Sequence, residues 1–205
     1  MRIIDLYEDD QQKKITKVVV IYPGRFHPFH IGHGKVYKHL ASKFSDVYIA
    51  SSGKVDMSSG SPFTFDEKKQ MMMHAGVPSS AIVQVKSPYQ ATEITSKYDP
   101  ETTAVIFAVS QKDMNTDPRF QFKPKKDGSP SYYQPMGPLQ PLSQHGHIMT
   151  VPTFDFNVLG EPMRSASEFR KNFANADLKT QAQMIVDLYG KYDKSIHRIM
   201  HTKLS

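Results

Sequence analysis

The ten residues from Gly24 to His33 constrain the fold of this chain more than any other segment. They read Gly-Arg-Phe-His-Pro-Phe-His-Ile-Gly-His and follow an apolar run, Lys17 to Tyr22, that predicts a buried parallel strand. After them, apolar residues at positions 36, 37, 40, 41 and 44 predict one face of a helix that spans residues 31–44. A strand therefore passes through a tight turn into a helix whose first turn carries two histidines.

The start of that helix is a candidate anion site. The first N–H groups of a helix have no partner within it and the positive end of the helix dipole lies there, so phosphate binds favourably. His30 and His33 are three residues apart and can lie on the same side of the opening turn. Gly32 lacks a side chain, so we expect phosphate oxygens to approach the backbone there. In the alternative interpretation, the two imidazoles only cap the helix.

The size and composition of the chain exclude several classes of protein. The 205 residues are enough for one domain with a good core and a helical appendage. The chain has no cysteine, which excludes disulfides and thiolate metal sites. It has neither an apolar stretch of about 18 residues nor the apolar core of a signal peptide, so we expect a cytoplasmic protein without a membrane span. The net charge of +6 suits anionic partners, nucleotides or nucleic acid.

Strands and helices alternate along most of the chain. Beyond the first pair, the sequence pattern predicts strands at 46–51, 81–85, 103–109 and 148–152, and helices at 65–75, 91–97, 178–189 and 192–202. This order predicts an α/β fold, a doubly wound, Rossmann-like parallel sheet of about five strands with a C-terminal helical extension.

We divide the chain into three parts. Residues 1–16 form an N-terminal arm, residues 17–174 the main domain, and residues 175–205 the C-terminal helices. An insertion at 110–147 is rich in Pro, Gly, Lys and aromatic residues and shows no clear period, which predicts a segment without regular structure. Its aromatic pairs, at 120 and 122 and at 132 and 133, either form a wall for a base or pin the insertion to the domain.

Two further helix starts carry the pattern of a capping box. Thr64 precedes Glu67 by three residues, and Ser165 precedes Glu168 by three. At the second of these starts, two hydroxyls and free N–H groups are followed by Arg170, whose guanidinium can reach the same anion. Each start is either a plain cap or part of a phosphate site.

The segment from Gly24 to His33 resembles the signature of the HIGH-type nucleotidylyltransferase superfamily, Gly-x-Phe-x-Pro-x-His-x-Gly-His, at every fixed position. Its detailed form is most similar to the archaeal-type nicotinamide mononucleotide adenylyltransferases. Residues 165–170 resemble the superfamily motif Ser-x-Thr-x-x-Arg, with Ser167 in place of the threonine. Residues 61–68 are similar to the Asn-Pro-Phe-Thr-x-x-Glu-Arg segment of archaeal-type relatives. The resemblance implies transfer of a nucleoside monophosphate from a triphosphate to a phosphate monoester, with release of pyrophosphate.

The resemblance also implies roles for individual residues. His30 contacts the α-phosphate, His33 stabilises the transition state near the bridging oxygen, and Arg170 reaches the β- and γ-phosphates; these three are the catalytic candidates. The nucleotide-binding candidates are Gly24, Arg25, Phe26, Gly32, Ser165 and Ser167. The acceptor-binding candidates are His27, Lys54, Thr64 and Lys68. Relatives often carry an arginine where this chain has Gly60, so Lys54 or Lys68 would have to supply that charge.

The expected chemistry needs alignment and charge neutralisation rather than a strong general base, because the attacking phosphate is already an anion. Magnesium is expected to accompany the triphosphate, held by phosphate oxygens and water rather than by a protein metal site. The expected partners are a nucleoside triphosphate, with ATP favoured, and a small phosphorylated acceptor. We expect neither a membrane nor a nucleic-acid partner, and self-association stays open.

Other functions remain as alternatives. Within the class, adenylyl transfer to nicotinamide or nicotinate mononucleotide is favoured over cytidylyl transfer to another phosphate monoester, although the base-reading regions diverge from the family. A class I aminoacyl-tRNA synthetase fragment shares His-x-Gly-His, but the chain is too short and lacks a Lys-Met-Ser-Lys-Ser loop. A non-catalytic nucleotide or nucleic-acid-binding module is the third alternative, and the intact His30, His33 and Arg170 argue against it.

Overall fold

The computed structural model describes residues 15–163 and 165–205. The arm expected at residues 1–16 lies almost wholly outside this range. Within the described residues, no helix is both long enough and apolar enough to cross a membrane.

The centre of the fold is a six-stranded sheet in which every neighbouring pair of strands is parallel. Its strands are β1 (Lys17–Pro23), β2 (Asp46–Ser51), β3 (Ile82–Gln84), β4 (Thr103–Ser110), β5 (Tyr133–Pro135) and β6 (Gly146–Val151). The spatial order is β3-β2-β1-β4-β6-β5, so the chain winds outward from β1 on one side and then returns to β4 on the other. The predicted doubly wound α/β fold is confirmed, and its switch point between β1 and β4 is where ligands bind in such sheets.

Seven helices surround this sheet in the described part of the chain. They are α1 (Ile31–Ala41), α2 (Phe65–His74), α3 (Thr92–Thr95), α4 (Gln111–Thr116), α5 (Ala166–Ala174), α6 (Leu178–Tyr189) and α7 (Lys194–Leu204). Short 3₁₀ turns cover Ser79–Ala81 and Pro118–Gln121, and a small antiparallel hairpin pairs β7 (Asn157–Val158) with β8 (Glu161–Pro162).

Strand β1 is buried on both faces and separates two apolar cores. Val20 and Tyr22 point into the core that contains α1 and α2, whereas Val19 and Ile21 point into the other core. Such two-sided burial is typical of a central parallel strand and explains the continuous apolar run in the sequence. The C-terminal helices α6 and α7 bury Met184 and other side chains in the same core as α1.

The insertion differs from the segment without regular structure that the sequence predicted. It contains α4, a 3₁₀ turn and β5, which pairs with β6 and is the sixth strand where about five were expected. Phe120 is 2% exposed in the second core, and the hydroxyl of Tyr133 donates to the carbonyl of Tyr89 at 2.5 Å. These two aromatic residues therefore pin the insertion to the domain.

Candidate active site

The turn between β1 and α1 is shaped by Phe26. This residue has a φ of 55°, and its ring packs edge-on against Tyr22 and Phe29. A Cβ on Gly24 would lie 2.5 Å from the Phe26 ring, so only glycine allows the turn to close over it. Phe26 is 7% exposed and its side chain belongs to the core, and its assignment to nucleotide binding stays a prediction. Both residues set the path of the turn.

Three distant side chains hold alternate carbonyls of this turn. Lys68 of α2 donates to the carbonyl of Arg25 at 3.1 Å, and Tyr189 of α6 donates to the carbonyl of Phe29 at 2.7 Å. Between them, Arg170 of α5 donates to the carbonyl of His27 at 2.5 Å. Because a buried carbonyl without a donor is costly, these contacts fix the turn to three helices at once.

His30 and His33 cap helix α1 reciprocally. Nδ1 of His30 accepts from the N–H of His33 at 3.4 Å, and Nδ1 of His33 accepts from the N–H of His30 at 3.3 Å. The two rings stack with centroids 3.6 Å apart. Both rings therefore cap the helix, as the alternative interpretation predicted, but the cap uses only Nδ1 of each ring. When Nδ1 of a neutral imidazole accepts, the proton lies on Nε2, so each ring keeps one N–H donor.

Burial keeps both imidazoles neutral. It lowers the pKa of His30 from its ordinary 6.5 to about 3. Burial, followed by the neighbouring His30, lowers the pKa of His33 well below its ordinary value. At physiological pH the pair therefore offers neutral Nε2–H donors and no positive charge.

The front of the helix is covered by the segment after β6. The ring of Phe156 stacks on His30 with centroids 4.2 Å apart. A Cβ on Gly32 would lie 2.9 Å from the carbonyl oxygen of Phe154, so the space that this glycine leaves is filled by protein. This corrects the expectation that Gly32 exposes the backbone to phosphate oxygens. The sequence pattern gave no signal for this covering segment.

His27 and Lys68 support the turn from inside the protein, and their assignment to acceptor binding stays a prediction. His27 is 6% exposed, and its Nδ1 accepts from the N–H of Phe63 at 3.3 Å. Lys68 is fully buried, and besides the Arg25 carbonyl it donates to the Ser51 hydroxyl at 2.7 Å and to the Ser52 carbonyl at 2.5 Å. All three ammonium protons are thus used within the protein.

The remaining acceptor candidates lie apart from each other. Thr64 caps α2, where its hydroxyl accepts from the N–H of Glu67 and its N–H donates to the Glu67 carboxylate. Lys54 has a side chain that is 79% exposed and lines a cleft of about 510 Å³ at the ends of β2 and β3. The residues around this cleft are Ser52, Gly53, Lys54, Gln84, Val85, Lys86 and Glu93.

A second cleft, of about 500 Å³, contains Ser167 and Arg170. We call it the α5–α7 cleft; its lining consists of residues 57–60 together with Pro62, Ser167, Arg170, Lys171, Lys203 and Leu204. The hydroxyl of Ser165 does not line it and caps α5 by accepting from the N–H of Glu168 at 3.1 Å. Arg25 is exposed and lies near enough to Arg170 to lower its pKa, after the larger effect of burial.

The structure thus brings Arg170 to the histidine turn and leaves the histidines outside the lining of the α5–α7 cleft. Sequence reasoning missed Phe154, Phe156 and Lys203, because no motif marks them. Within the described residues, no group of three or more His, Asp or Glu side chains is arranged to hold a metal ion.

Acid should destabilise this turn through its neutral imidazoles. Burial, followed by Lys68 and two arginines, lowers the pKa of His27 from 6.5 to about 3. Between those pH values the unfolded state binds more protons than the folded state, so stability falls as pH drops below 6.5. From pH 7 to pH 5 we expect a loss of about 2 kcal/mol for such an imidazole.

His27→Asn checks this expectation, because Oδ1 of asparagine can replace Nδ1 as the acceptor from Phe63. Urea unfolding at pH 7 and pH 5 should show that the variant loses about 2 kcal/mol less stability than the original chain. An identical pH dependence in both proteins would contradict the neutral state of His27.

Comparison with known proteins identifies the family of this chain. The profile of the family described as cytidylyltransferase-like matches residues 21–126, which is more than half of the chain. A nicotinamide-nucleotide adenylyltransferase from Sulfurisphaera tokodaii is 40% identical over 53 residues, 25% of this chain and 31% of that protein. Nicotinamide-nucleotide adenylyltransferase 1 from Sulfolobus acidocaldarius is 34% identical over 68 residues, 31% of this chain and 39% of that protein. The alignments therefore span about a third of each curated relative.

Among solved structures, a bifunctional NMN adenylyltransferase/ADP ribose pyrophosphatase from Francisella tularensis superposes on 91% of this chain and 52% of its own, with a TM-score of 0.46 and 14% identity. That likeness is too low to bear on function. The profile match is different, since it includes the histidine turn, β2, α2 and β4. The chain therefore belongs to the cytidylyltransferase-like family.

Proposed function

We propose that this protein transfers a nucleoside monophosphate from a nucleoside triphosphate to a phosphate monoester and releases pyrophosphate. The observation that carries the proposal is the contact between Arg170 and the carbonyl of His27, because it joins residues of two sequence motifs across 143 positions of the chain. ATP is the favoured donor and nicotinamide mononucleotide, or its nicotinate analogue, the favoured acceptor, since the curated relatives are named nicotinamide-nucleotide adenylyltransferases.

The proposed chemistry follows from the donors of the turn. An oxygen of the acceptor phosphate attacks the α-phosphorus, the bond to the bridging oxygen breaks, and pyrophosphate leaves. The Nε2–H groups of His30 and His33 donate to the α-phosphate and to the bridging oxygen as negative charge develops there. The acceptor is already ionised, so no residue needs to remove a proton.

The α5–α7 cleft is proposed to hold the pyrophosphate end of the triphosphate. Arg170 offers a planar fork of N–H donors, and Ser167 adds a hydroxyl in the same cleft. Magnesium is treated as part of the substrate, bound to phosphate oxygens and water.

The cleft at the ends of β2 and β3 is proposed to receive the acceptor. Lys54 and Lys86 both line it and are exposed, which suits a phosphate monoester that enters from solvent. This assignment keeps Lys54 as an acceptor-binding candidate while Lys68 supports the turn from inside.

Access to the histidines requires a local movement in this proposal. Phe156 and the carbonyl of Phe154 lie on the face of the turn that carries His30 and Gly32. We propose that this segment moves aside when the triphosphate binds. The movement exchanges one aromatic stack for contacts with the nucleotide.

A panel of substrates tests the proposal. ATP, GTP, CTP and UTP are each combined with nicotinamide mononucleotide, nicotinate mononucleotide and several other phosphate monoesters, and pyrophosphate release is measured. We expect release to be fastest with ATP and one of the two mononucleotides. Preference for CTP would favour the cytidylyltransferase alternative. Release from no pair, together with a salt-dependent shift of DNA or RNA, would favour a binding module instead.

A further inference from the structure

The α5–α7 cleft is lined by cations from two separate helices. Arg170 and Lys171 belong to α5, and Lys203 comes from the last turn of α7. Ser58, Ser59 and Ser167 also line it, and none of the described lining residues is an Asp or Glu, although Asp56 accepts from the hydroxyl of Ser58 at 2.6 Å. Such a composition attracts a compact polyanion.

Lys203 is held at the edge of this cleft by a fixed carboxylate. Its Nζ lies 3.5 Å from Oε1 of Glu67, and its side chain is 31% exposed. The other oxygen of Glu67 accepts from the N–H of Thr64 at 2.7 Å in the capping box of α2. Because the cap fixes Glu67, the ion pair orients the ammonium of Lys203 while leaving it accessible to a ligand.

Lys54 and Lys68, which were considered in place of the arginine that relatives carry at position 60, do not line this cleft. Lys68 spends all three ammonium protons on internal acceptors. Lys54 lines the cleft beside β3 and lies 4.0 Å from Asp56. Gly60 has a φ of 68°, which favours glycine, and a Cβ there would have to displace the guanidinium of Arg170.

We propose that Lys203 binds the β- and γ-phosphates together with Arg170, so that the C-terminal helix completes the triphosphate site. The inference rests on the function proposed above and adds a residue to its binding site. The terminal phosphates carry most of the negative charge of a nucleoside triphosphate. When they bind, Lys203 exchanges one carboxylate partner for phosphate oxygens. The pair is partly exposed and is a single ion pair, whereas the phosphates offer several charged oxygens, so we expect the exchange to favour binding.

Calorimetric titration of Lys203→Met tests the inference, because methionine keeps an unbranched stem and removes the charge. The probes are ATP, AMP and inorganic tripolyphosphate. We expect the dissociation constants for ATP and tripolyphosphate to rise about tenfold and the constant for AMP to stay within about twofold. Lys194→Met, at the exposed start of the same helix, is the matched control and should bind all three probes like the original protein.

Glu67→Gln separates phosphate binding from a purely structural role of the ion pair. It removes the same pair, keeps a cap acceptor and leaves Lys203 charged, so its binding of ATP and tripolyphosphate should be retained. Equal loss of binding in Glu67→Gln and Lys203→Met would overturn the inference, as would original affinities in Lys203→Met.

The outcome for the inference can be separated from that for the proposed function. If the original chain binds tripolyphosphate through Lys203 but releases no pyrophosphate with any substrate pair, the proposed function fails and the binding site stands. If the original chain binds neither ATP nor tripolyphosphate, both are overturned.

Discussion

His33→Asn is expected to lower turnover at least about a hundredfold while the protein stays folded. The Oδ1 of asparagine can take the place of Nδ1 and accept from the N–H of His30, so the cap of α1 survives. The variant lacks the Nε2–H donor, and loss of one donor to developing charge costs about a hundredfold to a thousandfold in turnover. Steady-state pyrophosphate release gives the turnover, and urea unfolding gives the stability.

His33→Gln is the complementary variant. Glutamine is a usual third residue of a capping box, so its Oε1 can accept from the N–H of His30 while its amide nitrogen supplies a donor in place of Nε2–H. We therefore expect turnover above that of His33→Asn, with stability close to that of the original protein. Turnover of His33→Asn within a few-fold of the original rate would contradict the role of Nε2–H.

Arg170→Ala is expected to weaken triphosphate binding by at least about tenfold, because a bidentate charged contact is lost. It should also lower stability, since the carbonyl of His27 loses its donor. Arg170→Lys keeps the positive charge without the planar fork, so its affinity for the triphosphate should lie between those of Arg170→Ala and the original protein. The comparison uses the dissociation constant for a non-hydrolysable triphosphate.

Arg198→Ala is the control for this series. Arg198 is exposed on α7 and lies outside the lining of the α5–α7 cleft. Its replacement should leave the dissociation constant unchanged. If the dissociation constant for the triphosphate is unchanged in Arg170→Ala too, the guanidinium of Arg170 does not contact the triphosphate.

The central elements of the fold follow from sequence periodicity. The apolar run of β1 and the helical period after it predicted β1 and the start of α1, and the two-sided burial of Val19 and Val20 explains why the signal is strong. Strand β5, Tyr133–Pro135, was missed because it lies in a segment rich in Pro, Gly and Lys without an apolar run, and its pairing with β6 depends on backbone contacts at the sheet edge. Strand β3 is equally short, but it lies in the apolar run Ala81 to Val85.

The candidate site was predictable in its motifs and not in its contacts. The spacing of His30 and His33 placed them on one helical turn. It could not show that Nδ1 of each ring accepts from the backbone N–H of the other residue. Lys68 lies on the same face of α2 as the buried Met71 and Met72, but only the folded chain brings the acceptors of the turn around its ammonium. Lys203 reaches its cleft through the packing of α7, which no local pattern encodes.

The most direct test of the central claim is a long-range ¹H–¹⁵N spectrum of the histidine side chains during titration with a non-hydrolysable triphosphate. His30→Asn and His33→Asn assign the two signals among the nine histidines of the chain. The account predicts that both rings are neutral with the proton on Nε2, and that both Nε2 resonances shift on binding in the original protein but not in Arg170→Ala at the same ligand concentration. Protonated rings, protons on Nδ1, or resonances that stay unmoved while the triphosphate binds would contradict it.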